Sequence, residues 1–458
     1  MKKFYLALCV VFFTTFTQLL AQQSLKTTFV SSFVDPTPVI QNSQNVTKYN
    51  DVWGYVDDQG REYAIFGSRV SSLFVDITDA TNPTLVTEIL NTTGNGTTWR
   101  DYKTYQNYAY SICDSCTEGM YVYDLSNLPN SVTVINKITS EFGRSHNIYI
   151  DEAHGRLYVV GMGGKTDLIV YDLTADPANP VLLAEIDFDK VLDPASTSEF
   201  FYIHDIYVRD NILYASHGNY GYYMWDANNT ANIIKLGEDD YGNYNHSSWL
   251  SECGEYAYVA EEVPLGLPLQ VVHIATLQTQ ASSNIAQVQD NLEPVDPITD
   301  TQSTYHNPYV KGDLLYISNY EDGLKVYDIR NPASPVLYAY YDTYSPNDDS
   351  DSYSGYKGAW GTYPFLPSGN ILISDSTFGL TIVKVDDFPV CLGDSHVLFV
   401  ESFSEIEYYR DKVSTFTNAT IDNNVNSVYG AGECIELNPD FEIKIGSQVL
   451  FTIETCVD

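Results

Sequence analysis

Short apolar runs, separated by polar and turn residues, make up most of this chain. Some runs simply end in a turn, such as LYVV at 157–160 and LYIS at 315–318. Others end in Asp, such as LIVYD at 168–172 and LKVYD at 324–328. Runs of this length, rich in Val, Ile and Tyr and bounded by turn residues, are typical of β-strands. The pattern predicts an all-β chain.

The runs recur inside a repeating unit. Each unit opens on a short segment, continues with an apolar run and reaches a run that ends in Asp, and three units then close on an Asn-Pro or Ser-Pro turn. Successive openers lie 42 to 60 residues apart. Such a period, with several strands per unit, indicates a β-propeller, here with seven blades. The openers are VWG at 52–54, WRD at 99–101, SHN at 145–147, IHD at 203–205, NHS at 245–247, YHN at 305–307 and AWG at 359–361.

The two ends of the chain differ from the repeats. Residues 1–21 have two Lys, an apolar run and a final Ala, which is typical of a secretory signal peptide. The propeller is predicted over 22–388, where 24–33 could complete the last blade. Residues 391–458 alternate apolar and polar positions, and we expect a small C-terminal all-β module there. No later apolar stretch approaches the roughly 20 residues of a membrane-spanning helix. We therefore expect a secreted or cell-surface protein.

Charge and cysteine content narrow the choice of partners. The formal net charge of −37 argues against nucleic acid and anionic lipid as partners, and leaves an extracellular protein, a glycan or a small molecule. Six Cys remain after the signal, an even number that favours disulfides in an exported chain. Cys113 and Cys116 are predicted to form one bond, and Cys391, Cys434 and Cys456 at least one more.

Several segments resemble known extracellular families. LFVDI at 73–77 and KVYDI at 325–329 resemble LVIVD repeats. The region from about 28 to 386 resembles the choice-of-anchor B family, most clearly in four short segments. That resemblance implies a surface or secreted propeller with no established reaction. IELNPDF at 435–441 resembles the coathanger-stack modules of secreted Bacteroidetes proteins, although Asp440 stands where that motif usually has Gly. The choice-of-anchor B segments are SHNIY at 145–149, HDIYV at 204–208, HSSW at 246–249 and YAYVAEE at 256–262.

Histidines concentrate at the openers. The chain has eight His in 458 residues, yet four of the seven openers contain one. The strand after each opener runs antiparallel, so its end returns to the same mouth of the central channel. We predict that His204, His246, Glu261 and His306 meet there as ligands of one divalent metal ion. The ligand-binding rim around them is predicted to comprise His146, Asp205, His217, Glu262, Asp375 and Arg100.

Three interpretations of this rim remain open. Each opener His could hydrogen-bond a neighbouring blade, since buried polar groups need partners. The rim could hold Zn, Fe, Mn or Cu, which imidazole and carboxylate suit. It could also bind a ligand without metal. Separately, Asp348, Asp349 and Asp351 precede a Gly and form a candidate Ca²⁺ loop, for which a solvated loop is the alternative.

The sequence favours a binding or interaction protein over an enzyme. No Gly-x-Ser-x-Gly segment, phosphate loop or Ser/His/Asp order occurs. The alternative is a metal-dependent hydrolase or lactonase-like enzyme that uses the same rim, with Glu262 or Asp205 as the base for a metal-bound water. A propeller fold by itself does not decide between them, because propellers carry many unrelated functions.

Overall fold

The computed structural model of the protein describes most of the repeat region and some strands beyond it. The described residues are 24–386, apart from 44–46, 92–95, 165, 198–201, 240–241, 279–283, 289–303 and 346–354, together with short strands between 396 and 453. The predicted signal peptide, 1–21, lies outside them, as do the Ca²⁺ loop residues Asp348, Asp349 and Asp351 and the side chains of Cys391, Cys434 and Cys456.

Seven antiparallel sheets form the blades of a β-propeller, as predicted. Blade 1 contains Tyr49–Val56, Glu62–Ser68, Ser71–Asp76 and Thr84–Leu90, and blade 2 contains Arg100–Tyr105, Tyr108–Cys113, Met120–Asp124 and Thr133–Ile138. Blade 3 contains Asn147–Asp151, Arg156–Val160, Leu168–Asp172 and Val181–Ile186. Blade 4 contains Asp205–Arg209, Ile212–Ser216, Tyr222–Asp226 and Ile234–Asp239. Blade 5 contains Tyr244–Leu250, Tyr256–Val263, Leu269–His273 and Asn284–Val288. Blade 6 contains Pro308–Lys311, Leu314–Ser318, Leu324–Asp328 and Val336–Tyr341, and blade 7 contains Ala359–Tyr363, Ile371–Asp375 and Gly379–Val385.

The N-terminal strand closes the ring. Thr27–Phe33 pairs antiparallel with Gly379–Val385 and supplies the fourth strand of blade 7, while Ser24–Leu25 extends the outer edge of blade 6. Val30 and Phe33 pack against a core that spans blades 7 and 1. The two ends of the repeat region therefore hold each other in place.

The core lies between successive blades. Between blades 3 and 4, for example, Val160, Leu168, Leu213 and Ala215 pack around the fully buried Trp225. Each sheet buries both faces against its neighbours, which explains the nearly continuous apolar runs of the inner strands. Three short helices, in connecting segments, complete the described repeat region: Pro38–Gln41, Phe188–Leu192 and Ile274–Gln278.

The C-terminal strands pair differently from those of the blades. Their pairing is parallel, in three small sheets. The strands of these sheets are His396–Leu398, Val413–Phe416 and Cys434–Leu437; Glu407–Tyr408, Asn426–Ala431 and Gln448–Ile453; and Thr420–Ile421 with Glu442–Ile443. Each sheet joins strands from successive passages of the chain, so the alternation of 391–458 does correspond to β-structure.

Two further findings bear on location. Cys113 and Cys116 form the predicted disulfide, which is consistent with an extracellular protein. Among the described helices, none has the length and apolar content needed to cross a membrane.

A buried carboxyl group in blade 3 gives the fold a testable pH dependence. Asp167 is 6% exposed, accepts a hydrogen bond from the Phe188 N–H at 2.8 Å, and has a pKa that burial raises to about 7. A carboxyl whose pKa is raised on folding favours the folded state at low pH and loses that contribution as pH rises to its folded pKa. We expect Asp167→Asn, which keeps an acceptor for Phe188, to stabilise the protein by about 2 kcal/mol at pH 8 and not at pH 4.

Thermal unfolding at both pH values measures this effect, and Asp172 in the same blade supplies a control of opposite sign. Hydrogen bonds from Thr174 lower the pKa of Asp172, so Asp172→Asn should not stabilise the protein at pH 8. Equal effects of Asp167→Asn at pH 4 and pH 8 would contradict the prediction.

Candidate metal centre

The openers of blades 3 to 7 form one continuous arc around a mouth of the central channel. The ring centroids of His146 and His204 lie 4.1 Å apart, those of His204 and His246 4.4 Å, and those of His246 and His306 4.2 Å. Trp360 continues the arc at 4.9 Å from His306. The four imidazoles come from blades 3 to 6, so equivalent positions in successive repeats do meet at one mouth.

Backbone carbonyls fix the orientation of three of these rings. Nδ1 of His204 donates to the carbonyl of His246 at 3.2 Å, and Nδ1 of His246 donates to that of His306 at 3.1 Å. Nδ1 of His306 donates in turn to the carbonyl of Trp360 at 2.5 Å. A carbonyl can only accept, so each Nδ1 carries the proton and each Nε2 keeps its lone pair. Each of these imidazoles therefore does hydrogen-bond a neighbouring blade, and its Nε2 is still able to bind a metal ion.

Burial favours the neutral form of the same three imidazoles. Burial, followed by the nearby His146 and His246, lowers the pKa of His204 well below its usual value. Burial also lowers the pKa of His246, although the adjacent Glu262 opposes the shift. Burial and the neighbouring His246 lower the pKa of His306 well below its usual value. Neutral imidazole is the form that binds a metal ion.

Three side chains come together as a candidate metal site: His204, His246 and Glu262. Each offers one ligand atom, and the three atoms lie within 4.8 Å of one another. Nε2 of His246 is 3.8 Å from Oε2 of Glu262. The other carboxylate oxygen of Glu262, Oε1, accepts a hydrogen bond from the Tyr320 hydroxyl at 2.6 Å. The carboxylate is therefore held by blade 6 while it faces two imidazoles of blades 4 and 5.

Two β-bulges in blade 5 aim the ligands. Along the two strands, Tyr244 pairs with Val263, Asn245 with Glu261 and Ser247 with Ala260. One residue is left unpaired between each of these pairs and the next. The skipped residues are Glu262 on one strand and His246 on the other. A bulge turns its extra residue out of the alternation of the strand. Both of the bulge residues thus join the metal group.

The sequence placed Glu261 in this group, and the structure puts Glu262 there instead. Glu261 is fully buried, and its Oε2 accepts hydrogen bonds from Asn243 at 3.1 Å and Gln270 at 3.0 Å. The strand-end argument assumed regular antiparallel pairing, in which Glu261 would face the channel. The bulge shifts that position by one residue.

The other predicted residues divide between the channel and the blades. His306, His146, Asp205 and Arg100 line the same cavity as His204 and His246, and Nδ1 of His146 lies 3.1 Å from the Asp114 carboxylate. His217 and Asp375 do not line it. The imidazole of His217 packs inside blade 4, 4.6 Å from the ring of Tyr223. Asp375 accepts hydrogen bonds from the N–H groups of Thr377 and Phe378 and so shapes a turn of blade 7.

Arg100 brings two unsatisfied guanidinium nitrogens to this mouth. Its residue is 3% exposed, and neither Nε nor Nη2 has a hydrogen-bond partner in the described part of the protein. Two unpartnered nitrogens on a buried guanidinium are costly, because their N–H groups are removed from water. The position therefore favours an anionic group, such as a carboxylate, in the cavity.

A second ring of polar residues lies one step deeper and was not anticipated as a unit. Asp101, Asn147 and Asp205 are each the last residue of an opener, and Asp51 immediately precedes the first opener. Nζ of Lys103 forms a 2.5 Å ion pair with Asp101. Burial and the charge of Asp101 raise the pKa of both Asp51 and Asp205 well above the usual carboxyl range. The repeat carried the signal for three of these residues, since Asp101, Asn147 and Asp205 occupy the same last position of successive openers.

Unit 1 departs from the predicted register. Its opener, 52–54, centres on Trp53, but Asp51 is the residue that lines the cavity with Asp101 and Asp205. The pairs Tyr49 with Ser68 and Val52 with Phe66 leave an irregular stretch between them. Trp53 lies towards the opposite mouth, 4.9 Å from the ring of Tyr363. Its likeness to Trp360 in sequence was coincidental.

Comparison with known proteins adds no assignment to this geometry. The sequence matches no family model. It matches no curated protein either. The case for function therefore rests on the channel itself.

Proposed function

We propose that the protein is an extracellular binding protein whose channel mouth holds one divalent metal ion on His204, His246 and Glu262. The observation that carries this proposal is the meeting of two neutral imidazoles and one carboxylate within 4.8 Å. Two imidazoles with one carboxylate are a ligand set for Zn, Fe, Mn or Cu. The propeller fold itself supports a binding role.

The distances suit an ion after a small adjustment of side chains. Ligand atoms about 2.1 Å from a tetrahedral ion lie about 3.4 Å from one another. The 3.8 Å between Nε2 of His246 and Oε2 of Glu262 is close to that separation. Little movement of either side chain would be needed to close the site.

The surrounding hydrogen bonds are those of a prepared metal site. Metal-binding imidazoles commonly donate their other N–H to a carbonyl, and metal-binding carboxylates are themselves hydrogen-bonded. His204 and His246 donate to carbonyls, and Glu262 accepts from Tyr320. Tyr320 has a backbone φ of 31°, a conformation that non-glycine residues rarely adopt. Strain of this kind is concentrated at functional positions.

The remaining rim offers contacts to a bound ligand. Three protein ligands leave coordination positions for water or for a group of the ligand. Arg100 and His146 line the same cavity, whose volume of about 50 Å³ accommodates a few water molecules or a small acidic group. The resemblance to choice-of-anchor B propellers, the signal-like residues 1–21 and the separate module predicted at 391–458 support the proposal that this binding takes place outside the cell.

A metal-dependent hydrolase is the second candidate, and the number of ligands favours it. Catalytic zinc sites have three protein ligands and a water, whereas structural sites have four. An ion held there would lower the pKa of a bound water towards neutrality and so supply a nucleophile. Asp205 lines the same cavity and accepts a hydrogen bond from Asn147 at 3.0 Å, so a second carboxyl group is held in this space.

Two adjacent glutamates give a matched test of the proposed site. We expect chelator-treated wild-type protein to bind one equivalent of Zn²⁺ or Mn²⁺ by titration calorimetry. Glu262→Gln should weaken binding at least about tenfold, because it removes a charged ligand, and Glu261→Gln should retain it. Equal affinities of the two variants, or no binding by the wild type, would overturn the proposal. Metal-dependent hydrolysis of an aryl ester or lactone by the wild type, and not by Glu262→Gln, would decide for the second candidate.

A further inference from the structure

A second and larger cavity opens at the opposite mouth of the channel. Its volume is about 550 Å³, within the range of small-molecule sites, against about 50 Å³ at the metal-site end. The ends of the innermost strands surround it. Tyr149, Tyr207 and Trp249 border both cavities and so separate the two ends of the channel. Its polar and aromatic lining residues play no part in the metal site.

The floor of this cavity is aromatic and braced. The ring of Trp249 lies 4.6 Å from that of Tyr207 and 5.8 Å from that of Phe365. The ring of Tyr363 lies 5.3 Å from that of Phe365 and 4.9 Å from that of Trp53. Because each ring is packed against another, their faces and edges are held before any ligand arrives. Such preorganisation lowers the entropy cost of binding.

The rim of the cavity is acidic. Four carboxylates line it: Asp151, Glu152, Asp210 and Glu252. Of these, Glu152, Asp210 and Glu252 are exposed, so the cavity opens to solvent on their side.

The carboxylates at this mouth outnumber the cations that line it, Arg209 and Lys103. Asp151 lies 2.8 Å from Nδ1 of His154, and Glu252 accepts a hydrogen bond from the Gly312 N–H. The guanidinium of Arg209 donates to the backbone carbonyls of Ser251 and Glu252, at 3.1 and 2.7 Å. Lys103 is ion-paired with Asp101 in the channel. The rim therefore keeps an excess of negative charge around an aromatic floor.

We propose that this cavity binds an organic cation, an alkylated ammonium group that packs on the aromatic rings while the rim carboxylates balance its charge. Aromatic faces attract quaternary ammonium groups through the ring quadrupole, and they do so more strongly where water is excluded. One cation already makes this contact here, since Nζ of Lys103 lies 4.4 Å from the centre of the Trp53 ring. Neutral sugars also stack on aromatic rings, but they gain nothing from the excess of carboxylates.

A comparison of choline with its uncharged isostere 3,3-dimethyl-1-butanol distinguishes the effect of the positive charge on affinity from the effect of molecular shape. We expect titration calorimetry and tryptophan fluorescence to show that choline binds at least about tenfold more tightly than the isostere. Glu152→Gln should weaken choline binding about threefold to tenfold and leave binding of the isostere unchanged. Glu185→Gln, an equal loss of charge at an exposed position on the outer strand of blade 3, is the matched control and should change neither.

Choline binding in this cavity does not involve the metal ligands, and a chelator tests that independence. Choline affinity should be the same with and without chelator. Equal affinity for choline and the isostere, tighter binding of a neutral sugar such as glucose, or absence of choline binding to correctly folded protein would each overturn it. Trp249→Phe, which keeps an aromatic ring and the packing around it, should weaken choline binding without changing the melting temperature by more than about 2 °C.

Discussion

Replacing His246 by Ala is expected to reduce the bound divalent metal from one ion per chain to background. The variant removes one of three ligands from a site whose other members, His204 and Glu262, come from different strands. It also removes one hydrogen bond, from Nδ1 of His246 to the His306 carbonyl, which contributes about 1 kcal/mol to stability. Elemental analysis after incubation with Zn²⁺ and desalting measures the first effect, and thermal unfolding measures the second.

His273→Ala provides the control for this prediction. His273 ends another strand of the same blade, and its ring lies 5.1 Å from that of Tyr256, away from the channel mouth. We expect this variant to keep its metal. A His246→Ala protein that retains one ion per chain would exclude His246 as a ligand. Background metal in the wild type as well, with a lower melting temperature for His246→Ala, would show that the imidazole is only structural.

Removing the N-terminal strand is expected to cause the largest loss of stability in the propeller. A chain that begins at Val34 lacks Thr27–Phe33, so Gly379–Val385 becomes an unpaired edge. The partly buried side chains of Val30 and Phe33 contribute about 2–3 kcal/mol, to which the lost strand pairing adds. We expect the melting temperature to fall by roughly 10 °C or more, as measured by calorimetry.

A chain that begins at Gln22 is the matched comparison. It keeps both N-terminal strands and lacks only the predicted signal peptide, so we expect it to unfold as the mature protein does. Equal melting temperatures for the chains that begin at Gln22 and Val34 would contradict a role for the strand in closing the ring. Addition of a peptide that covers 24–33 should raise the melting temperature of the shortened chain, because the edge of blade 7 stays available.

The repeat made the fold and much of the site predictable. A period in sequence becomes a rotation in space, so residues at equivalent positions lie at equivalent heights around one axis. That relation brought four opener histidines to one mouth, and it places His146, His204, His246 and His306 in a continuous arc. The last residues of the openers follow the same rule, which is how Asp101, Asn147 and Asp205 come to share the channel.

The repeat could not predict which of two neighbouring residues faces the channel. Whether Glu261 or Glu262 faces the histidines depends on bulges in blade 5, and no residue type marks a bulge in this stretch. Tyr320 reaches Glu262 from another blade through an unusual backbone conformation. The predicted position of the first opener was wrong for a similar reason, since Trp53 resembles Trp360 in sequence but lies towards the other mouth.

The amino-acid sequence by itself determined the all-β class, the number of blades, the Cys113–Cys116 bond and the concentration of histidines at one mouth. These features follow from local strand patterns and from periodicity, which need no knowledge of distant contacts. Only the tertiary structure decided that Glu262 and not Glu261 joins His204 and His246. Only it showed that an aromatic floor with a carboxylate rim forms at the opposite mouth. Both depend on where side chains from separate blades point after bulges and loops have shifted the register, and packing between blades fixes those directions.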